Sequence, residues 1–518
     1  MDALLPLLIN HPKPDSLRVA VDLSTIRPGG ENGGVKPFTF EYLHALDKLA
    51  GESITFVYLT WSCSHAEIRA IARPWDELVC VRDEAVSSGQ PYTADWHQGE
   101  ILLLNPPGDF LLRLGVKILY SPLSSAEFSC PGIPTIVTIA DVLHRDYPST
   151  LAPHMIAGRE ANFRDLVRST NKFQCISEYT IDRMAEHYAV DRARLFRTYI
   201  VIQHRLPPPI AEARPANRPY FLYPANAWHH KNHECLLVSY RLYRILAGTQ
   251  AWDLVLTGHE DERMQSLRGT VAALGLSDSV YFRGHLPPAE FATLWCSASA
   301  LVFPSLHEGF GIPLLEAMHF HLPILCSDAG SLPEVAGDAA IYADARNPID
   351  FAEAMSRLAC DADLRHNLLE RGQRRLATFS LQQEASDFLR ILRECADSEA
   401  LPWTKGVHAD GWIETQAIVA LPKHSGTRRL CITLAAAPAS RRLRVSIGLT
   451  PFGGFDLCAG REHKILLDVR FSGEPLVLDV PDAGNLNPQD HRLHGVILAG
   501  VSFFDAAGHE TLLAHVRP

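Results

Sequence analysis

Residues 304–318, PSLHEGFGIPLLEAM, decide the fold of this chain. The stretch reads as a strand end, a turn with Gly309 and Gly311, and then a helix that has Pro313 in its first turn, where a missing N–H costs nothing. Free N–H groups and the helix dipole at such a start favour an anion, and a diphosphate suits them. The pattern therefore predicts an anion site at the turn between a strand and a helix.

Two glutamates flank this turn. Glu308 precedes the glycines, and Glu316 lies one turn into the helix. This arrangement predicts one carboxylate near the sugar end of a bound nucleotide and the other deeper, where it accepts hydrogen bonds from ribose hydroxyls. A lone glycine-rich turn is adequately explained as a tight strand–helix connection. The two glutamates, the proline and the apolar helix together favour a ligand site.

Alternating strand-like and helix-like patterns extend on both sides and predict parallel sheets. A proline-rich linker at 205–219 separates two such halves. In sheets of this kind ligands bind beyond the carboxyl ends of the strands, so the chemistry is expected in the turns after residues 224, 257, 283 and 304. The strands are predicted at 18–23, 53–60, 117–121 and 135–140, and then at 220–224, 252–257, 279–283, 300–304, 323–327 and 339–342.

After about residue 395 the pattern changes to short strand-like segments without helical periodicity, which predicts an all-β, sandwich-like domain. The predicted domains are an N-terminal Rossmann-like domain (1–210), a second Rossmann-like domain (211–380), a helix returning toward the first domain (381–400) and the β domain (401–518). We expect the β domain to serve oligomerisation or partner docking rather than sugar binding, because no exposed aromatic row is evident.

Composition excludes some classes of protein. The net charge of −11 argues against a nucleic-acid partner, which requires a basic surface. The 11 cysteines are scattered without a CxxC pair, which favours buried thiols in a reducing compartment over disulfides or zinc. The first 14 residues show neither a signal peptide nor a membrane span. A cytoplasmic protein is expected. Basic residues modestly outnumber acidic residues at 151–205, which is explained either by a solvated helical surface or by peripheral contact with the inner face of the membrane.

Residues 280–340 resemble the donor half of the retaining glycosyltransferases of family 4, with Glu308 and Glu316 as the family's E-x7-E pair. Residues 223–237, YPANAWHHKNHECLL, resemble the same family's first donor-domain turn. There Lys231 matches the family lysine, Asn226 stands where arginine is common, and His230 is an additional candidate for the diphosphate. The later SLPEVAGDAA also resembles the family, and its Ser331 and Glu334 predict a capping box.

The N-terminal half resembles the family more loosely, through a glycine loop, the turn IADVLHRDYP and the strand end CISEYT. In that turn Ala140 replaces the histidine that many relatives carry. For each of these positions, ordinary capping or surface pairing is an alternative explanation. The resulting candidates for the acceptor side or the cleft are Gly33, Gly34, Asp141, His144, Arg159, Ser177 and Glu178.

The resemblance covers residues 18–397 and implies a GT-B fold, two Rossmann-like doubly wound domains facing a cleft. It implies retaining transfer of a sugar from a nucleoside-diphosphate donor, GDP-mannose as the first expectation, to a glycan or lipid-linked glycan in surface-polysaccharide synthesis. Lys231 and the amides of Gly309, Phe310, Gly311 and Ile312 would hold the diphosphate, Glu308 the sugar and Glu316 the ribose, without metal or other cofactor. A sugar-nucleotide epimerase or hydrolase on this fold, or a non-catalytic glycan-binding scaffold, are the alternatives.

Overall fold

The computed structural model describes residues 16–28, 33–83, 100–104, 106–125, 127–208, 218–485, 493–504 and 509–515. The N-terminal stretch in which no signal peptide was predicted lies outside the described residues. So do residues 29–32 of the predicted glycine loop and residues 209–217 of the predicted linker. In the described part, no helix is both long and apolar enough to cross a bilayer.

Strands are numbered β1 to β23 in chain order along the described residues. The first sheet is parallel throughout, as predicted, and its eight strands in the described part of the chain are ordered β4-β3-β2-β1-β5-β6-β7-β8. The four predicted strands are β1, β2, β5 and β6. The other four are short or carry charged residues at their ends, so their own sequence gives little signal. The strands are Leu17–Asp22, Ile54–Trp61, Glu77–Arg82, Ile101–Leu102, Ile118–Ser121, Thr135–Ile139, Lys172–Cys175 and Leu195–Arg197.

Helices connect these strands. The first of them carries a buried apolar face of Phe38, Tyr42, Leu43 and Leu46 against the sheet. This face explains why a residue pattern with helical spacing follows the glycine loop. The helices of this half are Val35–Ala50, His65–Arg69, Phe110–Arg113, Leu143–Asp146, Pro153–Ser169 and Glu178–Tyr188.

The second sheet is parallel and ordered β11-β10-β9-β12-β13-β14. All six strands predicted for this half are present, at Tyr220–Pro224, Asp253–Thr257, Val280–Phe282, Ala300–Phe303, Ile324–Ser327 and Ala340–Ala343. The strand order reverses between β9 and β12, and ligands of doubly wound sheets bind at this reversal. The helices are His233–Ala247, Glu262–Ala273, Pro288–Ser297, Ile312–His319, Leu332–Ala336, Pro348–Cys360 and Ala362–Leu376.

The helix Leu381–Asp397 leaves the second half and packs on the first. Its Phe388 ring lies 4.8 Å from the ring of Tyr120 and 5.4 Å from that of Tyr42. The hydroxyl of Tyr42 donates to the Glu384 carbonyl oxygen at 3.2 Å. The chain thus returns to the first sheet before the β region begins. The domain boundaries at 210, 380 and 400 themselves stay predictions.

The third sheet is antiparallel and confirms the predicted all-β region. Its strands run in the order β19-β18-β21-β16-β22-β17-β20, with β15 beside β16 and β23 beside β22. Both ends of this path share one core that includes Leu443, Leu478, Leu430 and Leu498. The strands β15 to β23 are Thr404–Val407, Trp412–Val419, Lys423–Ala435, Arg441–Ile447, Thr450–Leu457, His463–Ser472, Leu476–Asp479, Val496–Phe504 and Glu510–His515.

One face of the β region packs on the first α/β half. Ile418 and Val477 belong to a buried cluster that also contains Leu111 and Val79 of the first half. The ammonium of Lys405 donates to the carbonyl oxygens of Glu127 and Ser129, at 3.0 and 2.9 Å. This face of the β region is therefore buried against the first half, and oligomerisation or partner docking through the β region stays a prediction.

Candidate active site between the two parallel sheets

A cavity of about 820 Å³ opens between the carboxyl ends of the two parallel sheets. Its lining comes from the turns after β1 and β6 in the first half and after β9 and β12 in the second. Its volume is in the range that small-molecule sites occupy. The described site candidates that line it are Gly33, Gly34, Asp141, Arg159, Asn226, His230, Lys231, Glu308, Gly309, Phe310, Gly311, Ile312 and Glu316.

Lys231 and Glu308 meet at the reversal of strand order. The Lys231 ammonium lies 2.6 Å from Glu308 Oε1, which joins the turn after β9 to the turn after β12. Asn232 holds the first turn in place, because it adopts a left-handed conformation (φ 62°) and its amide donates to the carbonyls of Pro304 and Ala345. The two residues that the sequence placed at the diphosphate and the sugar are thus in direct contact.

Glu316 is buried, 2% exposed, and its partner is Arg205. Two guanidinium nitrogens donate to Glu316 Oε1, at 2.7 and 3.1 Å. Burial raises the pKa of Glu316, and the Arg205 charge and hydrogen bonds oppose this rise. Sequence reasoning missed Arg205 as a site residue, because it lies at the start of the predicted linker and only the fold carries it into the cavity.

At the glycines of the turn, an added side chain would collide with neighbouring protein groups. A Cβ on Gly309 would lie 1.9 Å from the carbonyl oxygen of Ala140 in the first half. A Cβ on Gly311, which has φ +93°, would lie 2.6 Å from a methyl group of Leu332. Across the cavity, a Cβ on Gly34 would lie 2.6 Å from Ile312. The turn therefore packs tightly against both the first half and the core of the second half.

Gly309→Ala is expected to lower the free energy of unfolding by about 3 kcal/mol, since overpacking against backbone forces a shift of the turn. Denaturant unfolding of the full chain measures it. Gly269→Ala is the matched control: Gly269 lies in the helix Glu262–Ala273 with open space around its Cβ position, so alanine should stabilise by about 0.5–1 kcal/mol. Equal changes in the free energy of unfolding at the two positions would contradict the tight packing of the turn.

His230 does not supply the cation that Asn226 lacks. Burial and the nearby Lys231 charge lower the pKa of His230 to about 4, so the ring is neutral near pH 7. Asn226 instead ties the turn to the next one, because its Oδ1 accepts from the backbone N–H of His259 at 2.9 Å. Arg263, which sequence reasoning missed, also lines the cavity and pairs with Glu234 at 2.6 Å.

A second neutral histidine, His233, is expected to make the free energy of unfolding depend on pH. His233 is fully buried, 4.8 Å from the ring of Tyr223, and burial together with the Arg263 charge lowers its pKa to about 4. The unfolded chain binds this proton near pH 6.5. Between those values the unfolded state carries more protons, so the free energy of unfolding falls as the pH is lowered from about 6.5 to about 4.

Denaturant titrations across this pH window measure the fall. His233→Phe is expected to reduce its slope by up to about 1.4 kcal/mol per pH unit, the value for one proton. His366→Gln, at an exposed position, should leave the slope unchanged. An unchanged slope in His233→Phe would contradict the neutral buried ring.

On the other wall of the cavity, Asp141 pairs with Arg159 at 2.8 Å and accepts the backbone N–H of Leu143 at 2.9 Å. Burial favours a raised pKa for Asp141, but the Arg159 charge and these hydrogen bonds outweigh it and lower the pKa. The carboxylate is therefore ionised at neutral pH and available to a polar ligand group.

Three candidates of the first half lie outside the cavity lining. His144 is buried against Phe163, with Nε2 2.6 Å from the Tyr188 hydroxyl. Ser177 caps its own helix and donates to the Gly309 carbonyl at 2.8 Å. The Glu178 side chain is exposed near Arg197. Ser177 thus contacts the turn from behind, and His144 packs between helices.

Glu334 does not form the predicted capping box, because the Ser331 side chain makes no cap hydrogen bond. Its carboxylate accepts instead from the backbone N–H groups of Glu178 and Tyr179, at 2.7 and 3.0 Å. It therefore caps a helix of the first half from the second half. A negative charge there complements the helix dipole and helps to hold the two halves together.

The described residues contain no group of three or more His, Cys, Asp or Glu side chains arranged to hold a metal ion. The cations that line the cavity are Arg159, Arg205, Lys231 and Arg263, and each has a carboxylate partner. An anion that enters the cavity would therefore have to compete with these carboxylates for the cations.

With this geometry in place, comparison with known proteins identifies the second half. Residues 209–375 match the family model described as Glycosyl transferases group 1. These residues form a glycosyl transferases group 1 domain. The group 1 domain contains the reversal of strand order, Lys231 and both glutamates of the E-x7-E pair.

Curated relatives are similar to parts of this chain. O-antigen chain mannosyltransferase B of Escherichia coli is 36% identical over 140 residues, which are 26% of this chain and 35% of that protein. O-antigen chain mannosyltransferase RfbU of Salmonella typhimurium is 28% identical over 219 residues, 41% of this chain and 57% of that protein. The matched part thus spans about a third to just over half of these relatives.

Solved structures show the fold of both halves. The Anabaena protein Alr3699/HepE, solved in complex with UDP and glucose, has a TM-score of 0.52 at 13% identity and covers 73% of this chain and 100% of its own. WaaG, described as a glycosyltransferase involved in lipopolysaccharide biosynthesis, has a TM-score of 0.50 at 15% identity, with 72% and 99% covered. The group 1 domain and the first half together have the GT-B fold that the sequence predicted.

Proposed function

We propose that this protein is a retaining glycosyltransferase that moves a sugar from a nucleoside-diphosphate donor to a hydroxyl of a glycan or lipid-linked glycan in surface-polysaccharide synthesis. The observation that carries the proposal is the Lys231–Glu308 pair, held at 2.6 Å at the reversal of strand order inside the cavity. The O-antigen mannosyltransferases among the relatives support GDP-mannose as the first candidate donor.

The residues divide into roles along the donor. Lys231 and the backbone N–H groups from Gly309 to Ile312 hold the diphosphate, where negative charge grows as the sugar bond breaks. Glu308 orients the sugar hydroxyls. Both Arg205 hydrogen bonds go to Oε1 of Glu316, and no described residue bonds its Oε2, which leaves that oxygen for a ribose hydroxyl.

Transfer with retention proceeds here without a covalent intermediate. The departing phosphate oxygen takes the proton of the acceptor hydroxyl, which attacks on the same face of the sugar. The protein contributes charge stabilisation and positioning, and closure of the two halves excludes water. Asp141 and Arg159, on the wall opposite Lys231, contact the acceptor.

A donor panel tests the proposal. GDP-mannose, UDP-glucose, UDP-N-acetylglucosamine and ADP-glucose are compared for thermal stabilisation of the full chain, since a donor at 100 times its Kd adds about 2.7 kcal/mol. Turnover of the stabilising donor is then followed with glycan and lipid-linked acceptors, and the anomeric configuration of the product is read by NMR. An inverted product would refute retention, and the absence of stabilisation by any of these nucleotide sugars would favour a non-catalytic glycan-binding scaffold.

Incubation without acceptor separates the alternative enzymes. A glycosyltransferase requires the acceptor for rapid turnover, whereas an epimerase or a hydrolase consumes the donor alone at the full rate. Rapid acceptor-independent consumption would therefore overturn the proposal.

EDTA is expected to leave turnover unchanged, because protein cations and backbone N–H groups neutralise the diphosphate in this mechanism. Initial rates with and without EDTA, after removal of loosely bound metal, measure this. A large loss of rate that Mg²⁺ or Mn²⁺ restores would contradict it and would place a metal on the diphosphate.

A further inference from the structure

His307 belongs to the second half and lines the cavity, but groups of the first half hold its side chain. It precedes Glu308 in the turn after β12, and its ring is almost completely buried, 2% exposed. Its Nε2 lies 3.0 Å from Oδ2 of Asp146. The rings of Tyr147 and Tyr179 meet the imidazole edge to face, at 6.0 and 5.8 Å. The orientation of this ring is therefore determined across the gap between the two halves.

Asp146 is an ionised hydrogen-bond acceptor. Burial alone would raise its pKa, but hydrogen bonds from His307, His187 and Tyr179 outweigh this and lower the pKa to about 2. His187 Nε2 lies 2.7 Å from Oδ1, and the Tyr179 hydroxyl donates to Oδ2 at 2.9 Å. An ionised carboxylate accepts hydrogen bonds only, so Nε2 of His307 carries a proton.

Because Nε2 faces Asp146, Nδ1 is the ring nitrogen left for another hydrogen-bond partner. No described residue forms a hydrogen bond with His307 Nδ1, and the neighbouring groups of the cavity are Glu308 and Asp141. The ring thus brings an oriented polar nitrogen to the part of the cavity where, in the proposed function, the sugar and the acceptor meet.

We propose that Nδ1 of His307 forms a hydrogen bond with a sugar hydroxyl in the cavity and that Asp146 is the positioning residue that orients the ring. This inference rests on the proposed function. The hydroxyl belongs either to the transferred sugar or to the acceptor, and the hydrogen bond is of the same kind in both cases. Because Asp146 and His307 lie in different halves, the contact is available only when the halves are together.

The variant that isolates this contact is His307→Gln. The glutamine amide still reaches Asp146 from the position of Nε2 but has no atom at the position of Nδ1. With the full chain and the donor that wild type uses, kcat/KM is expected to fall about tenfold to a hundredfold, since an unpaired hydroxyl is left in a closed site. The affinity for GDP or UDP alone, measured by calorimetry, should not change.

Two further variants test the positioning role. Asp146→Asn removes the charge that fixes the ring and is expected to lower kcat severalfold while the nucleoside-diphosphate affinity is retained. His187→Ala removes a bond to the other oxygen of Asp146, outside the cavity lining, and should have little effect. Far-ultraviolet circular dichroism and denaturant unfolding of each variant show that the fold is kept.

Slow donor hydrolysis without acceptor distinguishes the two sources of the hydroxyl. If His307→Gln slows hydrolysis and transfer alike, the hydroxyl belongs to the donor sugar, and if it slows transfer alone, it belongs to the acceptor. Wild-type kcat/KM in His307→Gln would overturn the inference and leave His307 as a contact between the halves. A wild type that turns over no nucleotide sugar would overturn the proposed function itself.

Discussion

Lys231→Ala is expected to lower kcat for sugar transfer by about 10²–10³, the effect of losing one preorganised group that stabilises developing charge. Lys231 is the cation at the reversal of strand order, His230 is neutral, and Asn226 carries no charge. Few groups are therefore left to replace it at the diphosphate. Steady-state kinetics with the donor identified by the panel measure this loss.

The fold should survive this change, because Glu308 borders the cavity and can be hydrated when its partner is removed. Lys464→Ala, an exposed lysine on strand β20, is the matched control and should retain full activity. Lys231→Arg keeps the charge and should recover part of the rate. Full activity in Lys231→Ala would refute the assignment of the diphosphate site.

A double variant links Lys231 to Glu308. The two side chains share a hydrogen bond, so their effects on the transition state should not add. Glu308→Gln alone is expected to lower kcat, and adding it to Lys231→Ala should cost less than the product of the two single effects. Strict additivity would indicate that the two residues act on the donor independently.

Arg205→Ala is expected to lower the free energy of unfolding by about 3 kcal/mol at pH 7, because it leaves a buried carboxylate without its partner. Glu316 is 2% exposed and its pKa is already raised by burial, so loss of Arg205 raises it further. The folded variant then binds a proton that the unfolded chain has released. The deficit against wild type should therefore grow as the pH rises above the raised pKa that Glu316 has in folded wild type, and shrink at lower pH.

Urea unfolding of wild type and Arg205→Ala at several pH values measures this deficit. The double variant Arg205→Met with Glu316→Gln removes both charges and should recover most of the stability, as neutral replacements of buried ion pairs do. It should still bind GDP and UDP poorly, because the proposed ribose contact is lost. A pH-independent deficit in Arg205→Ala would show that Glu316 is not the group left unpaired.

Much of the second half is encoded in local sequence. Its strands are continuous apolar runs that end in polar or glycine-bearing turns, and every predicted strand there is present. The reason is that strands of a parallel sheet covered on both faces must be apolar along their whole length. The same local pattern placed Lys231, Glu308 and Glu316 in turns and helix starts at the carboxyl ends of the strands, where ligands bind.

The first half shows the limit of such reasoning. The strands Glu77–Arg82, Ile101–Leu102, Lys172–Cys175 and Leu195–Arg197 are short or have charged residues, so pairing with neighbours rather than intrinsic preference stabilises them. The residues of IADVLHRDYP illustrate the same point. Asp141 enters the cavity, whereas His144, one turn later, packs against Phe163, and spacing alone did not distinguish the two.

The sequence by itself determined that this chain has two parallel α/β halves and an all-β region, and that two glutamates flank a strand–helix turn of the second half, where an anion site stays a prediction. These features depend on contacts within a few residues, which a linear pattern records. Only the tertiary structure decided the partners: Arg205 for Glu316, Ala140 for Gly309, Glu334 for a helix of the other half, and Asp146 for His307. Each pair joins residues far apart in the chain. Such pairs form only when the folded halves pack against each other, so a linear pattern does not record them.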